Sequence, residues 1–120
     1  MMRKSKNLTT GREGEARAIS YLDKKGYLIL ERNYHSRFGE IDIIAEYQGN
    51  LIFVEVKTRS SLDYGAPCMA VDNRKILHIK KTAWHYMSRK RLRCKALRID
   101  VIEIIKIDDR YYVRHLKGVE

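Results

Sequence analysis

Proline occurs once in these 120 residues and cysteine twice, and each scarcity narrows what the chain can be. One proline, Pro67, with seven glycines excludes collagen-like and Pro/Gly-rich low-complexity architectures. Cys68 and Cys94 lack the close spacing of a zinc or redox motif, and two cysteines build no disulfide framework; reduced thiols in the cytoplasm are expected. No apolar run approaches the roughly 20 residues that span a bilayer. The basic start, Met1 to Asn7, is followed by no apolar signal core, so secretion is not expected. Acid is scarce too: 15 Asp and Glu stand against 25 Lys and Arg.

What is present fits a folded unit. A hydrophobic content of 44% over this length supports one domain with a real core, without disulfides or structural zinc. The net charge of +10 calls for a polyanionic partner, and nucleic acid is the commonest. Between Asp72 and Arg98 there are ten Lys or Arg and one acid, so the charge forms a patch rather than a general coating.

Residues 1–8 read as a basic lead-in without fixed structure, and residues 9–120 as the single domain. Thr10-Gly11-Arg12-Glu13 has the spacing of a capping box. A helix is expected from there to about Lys25, with Ala16, Ile19 and Leu22 as its apolar stripe and Gly26 as its stop. Tyr27 to Tyr34 reads as a strand; Gly39 to Tyr47 and Leu51 to Arg59 read as a hairpin. Ser60 to Pro67 is a loop. A second helix runs from Val71 or Asp72 to Ser88, burying Ile76, Ile79, Ala83 and Met87, with His78, Thr82, His85 and Arg89 on another face. Leu97 to Ile107 and Tyr111 to Leu116 are strands around an Asp108-Asp109 turn. The expected order is α-β-β-β-α-β-β.

The hairpin carries the chemistry. Asp42, Glu55 and Lys57 sit among β-branched neighbours, where an unpaired charge costs several kcal/mol. Side chains of a strand alternate faces, so the turn decides whether these groups meet. A two-residue Gly49-Asn50 turn puts Asp42 opposite Lys57 and diagonal to Glu55; a Gln48-Gly49 turn puts Asp42 opposite Glu55. Either register sends Ile41, Ile43, Ile52, Val54 and Val56 to the other face. Two carboxylates roughly 5–8 Å apart repel unless a cation lies between them. Hard oxygen donors suit Mg²⁺ or Mn²⁺, which keep waters and take phosphate oxygens. Lys57 beside them can hold a phosphate or activate water. The alternative is an Asp42–Lys57 salt bridge with Glu55 on an exposed edge.

Asp42, twelve residues, then Glu55-Val56-Lys57 resembles the PD-(D/E)XK nuclease signature, with Ile41 where that signature names proline. The wider pattern is more specific. It comprises Gly11-x-x-Gly14-Glu15-x-x-Ala18-x-x-Tyr21-Leu22, Gly26-Tyr27, Arg32-Asn33-Tyr34, Gly39-Glu40-Ile41-Asp42, Phe53 to Arg59, and Ala70-Val71-Asp72-x-x-Lys75. Over residues 8 to 102 it resembles the bacterial YraN-type family, uncharacterised proteins predicted to be endonucleases and similar in layout to archaeal Holliday-junction resolvases. The resemblance implies an α/β restriction-endonuclease-like core, a central mixed sheet flanked by helices, and dimers. It implies metal ligation by Asp42, Glu55 and the Val56 carbonyl, with Lys57 as catalytic lysine and Glu15 as the additional acid. Glu13 has the capping-box explanation and Glu15 lacks one; Glu40 is expected behind the ligands.

The expected partner is therefore DNA, with no membrane. Arg59, Lys75, Arg89, Lys90, Arg91 and Arg93 are the candidate phosphate contacts. Trp84 and Tyr86 are expected to pack rather than to stack on bases. His35, His78, His85 and His115 have no ligand spacing, and there is no nucleotide-binding glycine loop or Ser/His/Asp arrangement. The expected function is metal-dependent hydrolysis of DNA phosphodiesters, with structured or branched DNA as the narrower expectation. The competing one is a nucleic-acid-binding module that keeps the fold without the chemistry.

Overall fold

Helix α1 (Met2–Lys24) lies on one face of a five-stranded sheet and α2 (Asn73–Lys90) on the other. The strands are β1 (Leu28–Ser36), β2 (Gly39–Tyr47), β3 (Asn50–Arg59), β4 (Leu97–Ile107) and β5 (Arg110–Leu116). This computed structural model describes residues 2–59, 73–92 and 96–119, with side chains from Gly11 onward. The strand order is β1-β2-β3-β4-β5, antiparallel except for the β3–β4 pair, which is parallel. Parallel neighbours need a long crossover, and α2 lies within it. The α-β-β-β-α-β-β order is as the sequence pattern implies, and the α/β class with its mixed sheet is as the family resemblance implies. The Ser60–Pro67 loop, both cysteines and Arg93 lie outside the described residues.

Both sheet faces are apolar because both are covered. Ala18 and Leu22 of α1 pack on Ile43, Ala45, Ile52, Val54, Ile102 and Ile104. Ile79, Ala83 and Tyr86 of α2 pack on Ile41, Ile44, Leu51, Phe53 and Ile99. Ala16, expected in the α1 stripe, is exposed; the buried stripe is Ala18 and Leu22, with Glu15 one turn before them in the same line. Thr82, assigned to another face, is fully buried and donates its hydroxyl to the His78 carbonyl at 2.9 Å.

The first helix begins at Met2, so the lead-in is helical and the Thr10–Glu13 capping box lies inside the helix. Glu13 instead accepts a hydrogen bond from Tyr111 OH. Gly14 has a packing reason: a Cβ there would collide with Thr58 Oγ1 of β3. The far end of α1 stops as expected. Gly26 sits at φ +93, and Tyr27 N–H bonds to the Leu22 carbonyl while Gly26 N–H bonds to Asp23, each at 3.0 Å. That pair of bonds is the Schellman motif. Gly26→Ala forces an L side chain into this conformation and is expected to lower stability by about 1–2 kcal/mol in urea unfolding.

A buried polar network ties α1 to the last two strands. Asp100 is fully buried and accepts four hydrogen bonds. Arg98 Nε (2.8 Å) and Gly118 N–H (3.0 Å) reach Oδ1, and Arg98 Nη2 (2.9 Å) and His115 Nε2 (2.7 Å) reach Oδ2. Arg98 Nη2 also donates to Tyr27 OH at 2.9 Å, and His115 Nδ1 lies 3.0 Å from Tyr21 OH. Burial alone would raise the Asp100 pKa, but these donors hold it below the usual carboxylate range.

Candidate active site

The turn between β2 and β3 is Gln48-Gly49, with Tyr47 paired to Asn50. Both turn residues have positive φ, 52 and 81, as a type I′ turn requires. The ladder runs from that pair to Ile43–Val54, and one further step sets Asp42 against Glu55. Of the two even-length registers open to the sequence, this is the one that brings the carboxylates together.

Strand alternation breaks at this point. Ile43 faces α1, whereas Ile41 joins Ile44 on the α2 side, correcting the expectation that Ile41 shares a face with Ile43, Ile52 and Val54. The cause is local. Asp42 Oδ2 accepts the Val56 N–H at 2.8 Å, so a side chain substitutes for a backbone carbonyl where the ladder ends. That bond fixes the carboxyl beside the β3 backbone.

Glu55 is buried and Asp42 half-buried. Asp42 is pushed up to about 7 by burial first, then by the negative charge of Glu55, with Glu15 and a hydrogen bond shared with Glu55 adding to it; the Val56 N–H works the other way. Glu15 reaches the pair because it continues the buried stripe of α1. On the other side, Glu55 Oε2 lies 3.4 Å from Lys57 Nζ and 3.5 Å from Lys75 Nζ. Lys75, proposed from sequence only as a phosphate contact, thus belongs to the carboxylate cluster through the first turn of α2.

Among the described residues no group of three or more His, Cys, Asp or Glu is arranged to hold a metal. A divalent ion here would rely on Asp42, Glu55 and the Val56 carbonyl, with water and substrate oxygens completing it. Mg²⁺ is commonly held that way, by one or two carboxylates and phosphate rather than an all-protein cage. The charge balance agrees: a carboxyl pushed up to about 7 by burial and by a neighbouring carboxylate is one whose proton a cation would replace.

The remaining candidates separate. Arg59 Nε meets the buried Glu103 Oε2 at 2.6 Å, and Arg114 Nη1 lies 3.6 Å from Glu103 Oε1. Glu40 is not behind the ligands; it forms an exposed ion pair with His35 at 3.2 Å. Arg89, Lys90 and Arg91 lie at the opposite end of α2, fourteen or more residues after Lys75, or about 21 Å at 1.5 Å per residue. Lys90 there pairs with Glu31 at 3.7 Å. Sequence reasoning missed Glu103 and Asp100, although their signal was the one used for the hairpin: acids inside an apolar strand. Trp84, expected to pack, is 63% exposed. Two depressions of about 360 and 530 Å³ flank α2, and neither is lined by Asp42, Glu55 or Lys57. No helix among the described residues is long and apolar enough to cross a membrane.

The model of the uncharacterised protein family UPF0102 matches residues 14–104, a span that contains Glu15, Asp42, Glu55 and Lys57. A UPF0102 protein of Persephonella marina is 47% identical over 95 residues, covering 79% of this chain and 82% of that protein. One from Trichlorobacter lovleyi is 50% identical over 103 residues, covering 85% and 81%. One from Alkaliphilus oremlandii is 42% identical over 114 residues, covering 93% and 97%.

Proposed function

Because the chain belongs to the uncharacterised protein family UPF0102, whose name assigns no chemistry, we propose its function from the site: a metal-dependent endonuclease acting on DNA phosphodiesters. The observation that carries this reading is the Asp42–Glu55 pair, fixed where the β2–β3 ladder ends by the Val56 N–H and bordered by Lys57. Asp42, Glu55 and the Val56 carbonyl would hold Mg²⁺ or Mn²⁺. When bound, such an ion supplies Lewis-acid polarisation of the phosphoryl group and offsets charge on the leaving oxygen. Lys57 holds a phosphate oxygen or the attacking water, and its ammonium favours loss of the water's proton. Glu15 adds negative charge on the α1 side. Arg59, paired with Glu103, and Lys75, paired with Glu55, stand beside the site, and a phosphate backbone entering it would compete for these cations. Branched DNA as substrate, and a homodimer as the acting form, follow from the likeness in layout to junction resolvases.

A second reading has its own observation. Glu55 is already neutralised by two lysines, which suits a nucleic-acid-binding module with no chemistry. One experiment separates them. Linear, flapped and four-way DNA are incubated with Mg²⁺ or Mn²⁺ and the wild type, Asp42→Asn or Lys57→Ala. The nuclease reading expects cleavage by the wild type and a loss of about 10²–10³-fold or more for Lys57→Ala. Cleavage that survives both substitutions is contamination and sinks the reading. Salt-steep DNA binding indifferent to Asp42→Asn, with no cutting by the wild type, leaves the binding module.

A further inference from the structure

Helix α2 carries six Lys or Arg and no Asp or Glu in its eighteen residues, and the chain's one tryptophan stands on its surface. Trp84 is 63% exposed and Leu77, two turns earlier, is 50% exposed. At 100° per residue, Arg74, Leu77, Lys81 and Trp84 share one side of the helix, and all four are exposed. Beside that side lies a depression of about 530 Å³ lined by Asn73, Ile76, Leu77, Lys80 and Val119. This indole, held out from a basic helix next to an apolar recess, joins neither apolar cluster among the described residues.

We infer that this side of α2 is a docking surface for unpaired nucleotides, with Trp84 stacking on a base and the helix cations bordering the phosphates. The inference rests on the nucleic-acid reading above and extends it to a substrate class: DNA with a single-stranded portion. Stacking on an exposed aromatic requires a base whose face is free, which a duplex interior does not offer. The charge of the helix also selects the occupant. A second copy docking this face on its own counterpart would oppose two all-cationic helices, whereas a phosphodiester strand complements them. Trp84 lies nine residues beyond Lys75, about 13 Å along the axis, and on the opposite flank. A strand leaving the carboxylate site therefore crosses over the helix to reach it, passing Arg74 and Lys81. At 3.4 Å per nucleotide of a stacked strand the axial component alone is about four nucleotides, and the crossing of a helix about 10 Å wide adds to it.

The single tryptophan makes the test direct, because intrinsic emission above the tyrosines reports Trp84 alone. A labelled oligothymidylate and a blunt hairpin duplex are titrated with the full chain, following anisotropy and Trp84 emission together. The expected result is quenching by the oligothymidylate and little by the duplex. Trp84→Ala is expected to weaken single-strand binding by about 5–150-fold, with duplex affinity and salt slope unchanged, and Trp84→Phe to restore most of it. An exposed residue removes no core on truncation, and circular dichroism confirms that both variants fold. Saturating anisotropy without quenching overturns the proposal. So does an emission change on protein concentration alone, with a sedimenting species lost in Trp84→Ala, which would make the face a self-association surface. Failure to bind any DNA overturns both this and the nucleic-acid reading. Quenching without cleavage leaves the surface standing and removes only the nuclease.

Discussion

Asp42→Asn is expected to abolish cleavage while making the metal-free protein more stable, two effects of opposite sign from one substitution. The stability half follows from the raised carboxyl. With its folded pKa at about 7 against about 3.9 in an unfolded chain, the native state holds a proton that the unfolded state releases. The contribution of Asp42 to stability is therefore greatest below about pH 4, falls as pH rises from about 4 to about 7, and is flat beyond. Three pKa units set an upper bound of about 4 kcal/mol, and a carboxyl only half-buried, as Asp42 is, realises on the order of 2 kcal/mol.

Asparagine removes that penalty without losing the geometry. Its Oδ1 still accepts the Val56 N–H, and its amide donates to Glu55 where a shared proton stood. The pH slope between 4 and 7 should disappear, and urea midpoints at pH 7.5 should rise. The metal half follows from the same pair. Millimolar Mg²⁺ or Mn²⁺ should raise the wild-type melting temperature, by the equivalent of about 2.7 kcal/mol at a hundred times the dissociation constant, and leave Asp42→Asn unmoved. A variant that loses cleavage together with stability would mean that Asp42 is structural. A wild type whose melting temperature ignores both ions would mean that the pair holds no metal.

The hairpin and its charges were legible because they break a rule: Asp42, Glu55 and Lys57 interrupt strands that would otherwise be uniformly apolar. Register was legible down to two choices, and turn chemistry decided between them, since Gly49 fits the second position of a type I′ turn. The swing at Asp42 was not legible. Alternation is a rule about backbones, and a side chain that takes over a backbone bond, as Asp42 does with Val56, cancels it locally. The start of α1 was misread because the capping-box pattern is short; Gly14 answers to Thr58 across the fold, a contact no local pattern encodes. Trp84 shows the limit of composition. Hydrophobic residues are expected inside, yet this one falls on the side of α2 that carries Arg74 and Lys81, and periodicity counted from Ile79 and Ala83 would have placed it there. Asp100 and Glu103 were passed over because β4 was read as one β-branched run.

Asp100→Ala is expected to cost about 3–5 kcal/mol, the largest stability loss of any single substitution argued for this chain. A buried charge pair gives little net stability when intact, but removing one partner strands the other. Here the alanine takes away the acceptor of Arg98 Nε, of Nε2 of the nearly buried His115 and of Gly118 N–H, and leaves Arg98 Nη2 only Tyr27 OH. Asp100→Asn should recover only part of the loss. Each carboxylate oxygen receives two donors, so an amide nitrogen in either orientation faces N–H groups. His115 can accommodate it by turning Nε2 into an acceptor and donating from Nδ1 to Tyr21 OH, but Arg98 has no acceptor form. The pH dependence has the opposite sign to that of Asp42. Asp100 is held below its ordinary value, so its contribution is complete at neutral pH and is lost as pH falls through the carboxylate range, below about 4. Urea unfolding of the wild type and both variants at pH 7 and pH 3 checks this: the gap between wild type and Asp100→Ala should shrink at the lower pH. Because the network joins Tyr21 and Tyr27 to β4 and β5 on the α1 side of the sheet, whereas Trp84 stands on α2 across it, the asparagine variant should still quench Trp84 with oligothymidylate below its melting point. A variant that folds but loses that signal would place Asp100 in the binding surface rather than beneath it.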